Sequence, residues 1–226
     1  QPASKDLSAA KKSILDNKAF RKWFGGSKVV GPDGEPLVVY HGTNEDFNAF
    51  DSDKSGAKTG NPNARLGFFF TQDKNEGKRY SEDWGKDGGR VVQAYLSIKN
   101  PYMMSYGEFN DLAMAEYKGI DPESTKAPTK QEIITRREKA YDLSTNRRDE
   151  LINEGYDGII VKTAKGKNIE YIAFHPTQIK SIYNSGEFDG SNPDIRKMTA
   201  HHGTPHTLQR EPGYPNGRFR LEFIGT

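Results

Sequence analysis

Val38-Val39-Tyr40-His41-Gly42-Thr43, read with Asn168-Ile169-Glu170-Tyr171-Ile172 far downstream, decides how this chain folds. Each string is an apolar run of strand length that carries a polar group such a strand does not otherwise need. Between them lies Leu66-Gly67-Phe68-Phe69-Phe70-Thr71, with Tyr80 eleven residues beyond Phe69. A His-Gly at one strand end, an aromatic on a second strand and a carboxylate on a third can grip one small ligand from three sides.

Working outward, Leu7, Ile14, Leu15, Phe20, Trp23 and Phe24 recur at helical spacing, and Gly25-Gly26 closes that helix. Val29-Val30, a Gly31-Pro32-Asp33-Gly34 turn and Leu37 to Tyr40 predict a β-hairpin. Residues 44–65, rich in Gly, Asn, Asp and Ser, predict a loop long enough for a binding role. Phe68 to Thr71 predicts a strand, 75–83 a short helix carrying Tyr80, and Val91 to Ile98 a strand ending at Asn100-Pro101. Residues 102–153 then predict a helical insertion, with one helix over Phe109 to Tyr117 and one or two more over Lys130 to Asn153. Strands resume at Gly158 to Val161, Glu170 to Phe174 and Ile179 to Tyr183, and the turn chemistry of 188–195 closes the domain.

Length allows one domain of ordinary size plus extra elements, or two small ones. The hydrophobic fraction is 33% and the charged fraction 28%, with 23 Gly and 12 Pro pointing to many turns. Cysteine is absent, which excludes disulfides and thiolate metal sites and fits a reducing compartment. No apolar run reaches the length of a membrane span, so no membrane partner is expected. A net charge of +2 argues against a dedicated nucleic-acid binder. The chain starts at Gln1 rather than Met, which reads as a piece cut from something longer. Its organisation reads as an N-terminal helical segment (1–26), one domain over 27–196 and a tail over 197–226. The tail's His202-Gly203-Thr204 echoes His41-Gly42-Thr43 and suggests the truncated start of a second module.

Each candidate residue has a plainer reading. His41 alone can be a satisfied strand-end histidine, and Tyr80 a half-buried helix aromatic. Phe68 and Phe70, on the face opposite Phe69, are expected in the core. Glu170 is the sharpest residue, because a carboxylate amid Ile169, Tyr171 and Ile172 costs free energy to bury. Its plain alternative is an edge strand with the carboxylate facing water. The Arg136-Arg137, Lys139 and Arg147-Arg148 cluster is interleaved with acids, which is the pattern of a solvated, ion-paired helix face. His201, His202 and His206 lack a fourth ligand, and no metal is assigned.

The residues suit cleavage of an N-glycosidic bond to a flat cationic leaving group, such as the nicotinamide of NAD. Positive charge develops on the sugar and the base leaves neutral, so one fixed carboxylate can serve without a general acid. Gly beside His lets backbone groups approach a carboxamide closely. Two aromatics can hold the ring, with cation–π attraction while it is charged.

In these strings the chain resembles the His-Tyr-Glu branch of ADP-ribosyltransferases, the diphtheria toxin and poly(ADP-ribose) polymerase branch. It resembles most the ADP-ribosyltransferase-like domains of phage and mobile-element polyvalent proteins. Trp23-Phe24-Gly25, Asp33-Gly34-Glu35-Pro36, Tyr156-Asp157-Gly158 and Gln178-Ile179-Lys180-Ser181 join the strings already quoted, in order, from about Phe20 to Ile195. The resemblance implies an α+β fold on a split, mostly antiparallel sheet with flanking helices and a helical insertion. It implies mono-ADP-ribosyl transfer from NAD to a macromolecular, host target, with nicotinamide released and no metal.

By the same resemblance Glu170 and His41 are the catalytic pair, and His41, Gly42, Thr43, Phe69 and Tyr80 bind NAD. Phe69 stands where the family usually has Tyr, which keeps the ring face and loses a hydroxyl. Asn168 stands where the arginine-modifying branch has Glu. The acceptor implied is a protein, with nucleic acid second and an immunity or antitoxin partner conceivable. The setting implied is cytoplasmic, or delivery into a host cytoplasm. Three other readings share the fold: an inactive NAD-binding or structural module, an NAD glycohydrolase, and an NAD-using phosphotransferase acting on RNA 2′-phosphate.

Overall fold

A computed structural model describes residues 13–55, 61–82, 89–117, 127–184 and 186–196. Its opening helix is interrupted where the spacing predicts one continuous segment. Residues 13–16 form a helical turn, and Asn17 then caps a second helix, α1 (Lys18–Phe24), by accepting from Ala19 N and Phe20 N. An Asn side chain competes for backbone donors and so starts a helix more readily than it sits inside one. Phe20, Trp23 and Phe24 line one face of α1 at i, i+3 and i+4, and all three are buried.

Among the described residues, seven strands form two sheets. The first, in the order β1-β3-β7, contains Val39–Thr43 (β1), Arg90–Leu96 (β3) and Ile179–Ser181 (β7), all antiparallel. The second, in the order β2-β6-β5-β4, contains Phe68–Phe70 (β2), Asn168–Ala173 (β6), Gly158–Lys162 (β5) and Pro101–Ser105 (β4). Only β4 with β5 is parallel. The residues that begin the predicted helical insertion are therefore strand: Tyr102 to Ser105 run beside Ile159 to Lys162. Pro101 fits here because the first residue of an edge strand need not donate a ladder hydrogen bond. The predicted hairpin before β1 is reduced to a single bridge, Val30 with Pro36, around the Gly34 turn.

The two sheets bury their facing sides against each other. Val39, Val92, Ala94, Leu96 and Ile179 from the first sheet meet Phe68, Phe70, Ile160, Tyr171 and Ala173 from the second. The outer side of the first sheet is covered by α1, with Phe20 packed edge-on against Tyr95 at 5.0 Å and Phe188 at 5.0 Å. Ile14, Phe20, Trp23 and Phe24 thus pack against the first sheet. The outer side of the second sheet carries Met104, Ile159, Val161 and Ile172, met by Leu66 and by Leu151 of a long helix.

Three helices complete the frame: α2 (Lys74–Glu82), α3 (Tyr106–Ala113) and α4 (Lys130–Asn153). α4 is one helix, started by a capping box between Thr129 and Glu132. Three of its arginines are ion-paired, two of them to carboxylates outside the helix: Arg137 with Glu116, Arg147 with Glu108 and Glu150, and Arg148 with Asp149. No helix among the described residues is long and apolar enough to cross a membrane. The echo string and His201, His202 and His206 lie outside the described residues.

Two of the sequence motifs act as joints. Gln178 accepts from Phe174 N at 3.1 Å and His175 N at 2.8 Å, and donates to Ser97 O at 3.1 Å and Asp157 O at 2.7 Å. Asp157 in turn accepts from Lys99 N and Asn100 N, both at 2.8 Å. Lys180, almost wholly buried, donates to the carbonyls of Asn192 and Asp194, which ties the closing loop to β7.

Candidate active site

The two sheets meet where β1 and β2 touch. Tyr40 and Thr71 exchange both backbone hydrogen bonds, at 2.8 and 2.9 Å. One residue further along β1 the strands part. Backbone groups along an antiparallel strand point alternately to either side, so His41 turns its peptide groups to β3 while Gly42 turns them toward the gap facing Phe69.

The ring of His41 fills the start of that gap. Its Nδ1 lies 2.8 Å from Phe69 O. A carbonyl can only accept, so Nδ1 carries the proton and the neutral ring presents Nε2 as an acceptor. Phe50, edge-on at 5.0 Å, and Phe70 at 5.4 Å enclose the imidazole. Burial holds its pKa below the usual value; the Phe69 carbonyl opposes that shift and the Arg90 guanidinium adds to it. His41 is therefore neutral at physiological pH and offers an oriented lone pair.

Gly42 has a structural reason of its own. A Cβ there would sit 2.7 Å from Ser81 N and 2.8 Å from Tyr80 Cβ, and closer still to Gly77 O. The missing side chain lets α2 lie directly on β1, and Gly77 answers from the helix, where a Cβ would come within 2.9 Å of Tyr40 Cβ. This glycine contact fixes where α2 presents Tyr80, which is 44% exposed. The sequence suggests Gly42 makes room for a ligand; in the fold its missing side chain also makes room for the helix that carries Tyr80.

Glu170 lies in β6, the strand between β2 and β5, opposite Val161 of β5 and one residue past the last pair with β2, Phe70 with Tyr171. β6 is therefore not an edge strand, and Glu170 stands where β2 leaves it. It shares a face with Ile172, two residues on, which is opposite Phe69 in β2. Burial, with the charge of Glu76 added, pushes its carboxyl up to about 8. Tyr80 is raised as well, first by burial and then by the charges of Glu170 and Glu76. Glu76 and Tyr80 are four apart on α2, on one helix face, and Glu76 also pairs with Arg79. Glu170, Glu76 and Tyr80 thus form one electrostatic group beside the gap.

Phe69 links the halves of the site. Its carbonyl accepts a hydrogen bond from His41 Nδ1, and its ring, partly buried, lies near that of Phe109 of α3, with centroids 6.1 Å apart. Phe68 and Phe70 are in the core, on the opposite face. Thr43 ends β1 opposite Arg90, and its hydroxyl accepts from Glu45 N at 3.1 Å. The fold therefore ties His41 to Phe69 by a hydrogen bond, Gly42 to Tyr80 by the close approach of α2, and Tyr80 to Glu170 by charge, while Thr43 continues β1 toward the 45–47 loop.

Three neighbours were not readable as site residues. Arg90 pins the loop after β1, donating to Glu45 O at 2.9 Å and Phe47 O at 3.2 Å and pairing with Asp46 at 3.1 Å. Nothing in the linear sequence connects Arg90 to residues 45–47. Phe50 closes over His41 from a loop without periodicity. Glu76 carried a usable signal, its i, i+4 spacing to Tyr80.

A cavity of about 570 Å³ lies elsewhere, between Lys22 and Trp23 of α1, Lys99, and the 187–190 loop. None of His41, Gly42, Thr43, Phe69, Tyr80 and Glu170 lines it.

Two mostly antiparallel sheets that part beside a His-Gly, with a ring-bearing helix laid on the glycine and a half-buried carboxylate on the second sheet, make an α+β fold of the ADP-ribosyltransferase type. A family model described as ADP-ribosyltransferase in polyvalent proteins matches residues 32–188, and the chain belongs to that family. No curated protein matches. Among solved structures, an anti-CRISPR protein is similar at 12% identity, over 66% of this chain and 96% of that one, with a TM-score of 0.31. That likeness is too slight to bear on the site.

Proposed function

We propose that this domain cleaves NAD at the nicotinamide–ribose bond and transfers the ADP-ribosyl group to a macromolecular acceptor. Membership of the family supports NAD as the substrate. The observation that carries the reading is Glu170: a carboxyl on the strand between β2 and β5, with Tyr80 and Glu76 of α2 near enough to share its field, and pushed by burial up to about 8. A protein keeps such a group at a cost in stability, and a cationic ligand or transition state is what would use it.

In this reading Nε2 of His41 accepts from a ribose hydroxyl, and the peptide groups of Gly42 hold the carboxamide. Tyr80 and Phe69 flank the nicotinamide ring, and Thr43 closes the strand end. The bound pyridinium draws Glu170 into its charged form. The carboxylate then holds the adjacent ribose hydroxyl and opposes the positive charge that grows at C1′ as the C–N bond lengthens. Nicotinamide departs with the bonding electron pair and is neutral. The acceptor's lone pair forms the new bond to C1′, and its proton passes to Glu170 or to water. With no acceptor present, water completes the same sequence and the observed activity is NAD hydrolysis.

The test is nicotinamide release from NAD by wild type and Glu170→Gln. The Gln variant is expected to lose about 10²–10³-fold in kcat, the scale of removing one group matched to transition-state charge. Equal turnover by both proteins would remove Glu170 from the chemistry. NAD binding with no release by either would mark a non-enzymatic module.

A further inference from the structure

The nicotinamide-side aromatic does not end at the cleft. Phe69 touches Phe109 at 6.1 Å, and Phe109 touches Tyr106 at 6.5 Å, which makes a row of three rings from β2 out along α3. Phe69 and Phe109 are partly buried, while Tyr106 at the outer end is 51% exposed. α3 is firmly seated. Ser105 caps it by accepting from Glu108 N at 3.1 Å, and Glu108 takes hydrogen bonds from Tyr102 at 3.1 Å and from Arg147 of α4 at 3.0 Å. The Arg147 guanidinium also lies over the Tyr102 ring at 4.8 Å. An exposed tyrosine on a helix fixed this way keeps little freedom to lose on contact, which suits it to recognition.

The surroundings narrow the class of partner. Among the described residues, seven of the nine large exposed apolar side chains fall within 102–153, Met103, Met114 and Tyr117 among them. The same segment holds eight Lys and Arg against ten Asp and Glu, so it is net −2 in a chain of net +2. The cations of α4 named above are engaged by neighbouring carboxylates. A phosphate backbone would meet a segment of net negative charge whose Arg137, Arg147 and Arg148 are already held by carboxylates, whereas a protein with an apolar, basic face would meet its complement.

We propose that the Tyr106–Phe109 face of α3 is the acceptor platform: it seats a protein acceptor with a basic, apolar surface and delivers its nucleophile past Phe69 to the ribose. This rests on the transferase reading above. Tyr106 acts on the acceptor and not on NAD, so it governs how ADP-ribose divides between protein and water.

The experiment follows labelled NAD with wild type, Tyr106→Ala and Tyr106→Phe in a nuclease-treated cell lysate, and measures nicotinamide release without lysate alongside. Tyr106→Ala is expected to reduce label in protein about 10-fold, the scale for truncating an interface aromatic, while release into water stays within about twofold of wild type. Tyr106→Phe restores labelling, and raising the salt weakens it in the wild type. Protein labelling unchanged by Tyr106→Ala overturns the platform and leaves the transferase standing, as does label that enters only nucleic acid when nuclease is omitted. No nicotinamide release from any form overturns the transferase reading and the platform with it.

Discussion

At the scale of the residue, Glu170 ties stability to chemistry. In the unfolded chain its carboxyl titrates near 4.5, and in the folded protein near 8, because burial and the charge of Glu76 both disfavour the anion. Between those values the folded state holds one more proton than the unfolded state. Stability therefore falls as pH rises through this window, and the loss is complete above about 8. Gln cannot titrate, so Glu170→Gln is expected to match wild type near pH 4 and to exceed it by roughly 2–4 kcal/mol at pH 9. Thermal melts of both proteins at pH 4, 7 and 9 measure this, and an advantage that does not grow with pH would place Glu170 in water. The rate carries the opposite sign, since the anion is the working form: kcat/KM for NAD should climb as pH passes through about 8. The sequence made Glu170 legible because an acid in an apolar run is an anomaly of composition. It could not supply Glu76 or Tyr80 as the groups that share its field, because only the register of α2 on β1 brings them there.

At the scale of the element, the crossing of α2 over β1 depends on two glycines. Gly42→Ala drives a methyl into Gly77 O, Ser81 N and Tyr80 Cβ, which are backbone or backbone-adjacent atoms that cannot turn aside. The expected loss is about 3 kcal/mol or more by overpacking, with Tyr80 displaced and NAD affinity reduced even where the variant remains folded. Gly77→Ala strains one contact, Tyr40 Cβ at 2.9 Å, and should be the milder change. Melting temperature and NAD affinity, measured on both variants, check the order; a harmless Gly42→Ala would mean the helix is not held by this contact. Strands rich in Val, Ile and Phe, and the acidic-basic interleaving of α4, could be read along the chain because their signal is local. β4 could not. Pro101-Tyr102-Met103-Met104-Ser105 has little alternation, and it becomes a strand by lying parallel to Gly158–Lys162, more than fifty residues away. Asn17 likewise divides a helix that apolar spacing alone makes continuous.

At the scale of the whole molecule, the strings that mark the family do two kinds of work that the sequence does not distinguish. Tyr40 to Gly42 and Glu170 lie where β1 and β6 meet β2 and α2, whereas Tyr156-Asp157-Gly158 and Gln178-Ile179-Lys180-Ser181 hold the two sheets in relation to each other. Gln178 is the centre of the second group. One amide side chain serves backbone groups at the end of β6, just past β3 and just before β5, so it joins both sheets where they converge. Gln178→Leu is close in volume but strands two donors and two acceptors, at a cost of about 2–5 kcal/mol once water has partly replaced the lost partners. None of those four partners belongs to the gap. The variant is therefore expected to melt at a lower temperature yet, well below its midpoint, to bind NAD within about twofold of wild type. A variant that keeps its melting temperature but loses NAD would move Gln178 from the frame to the site.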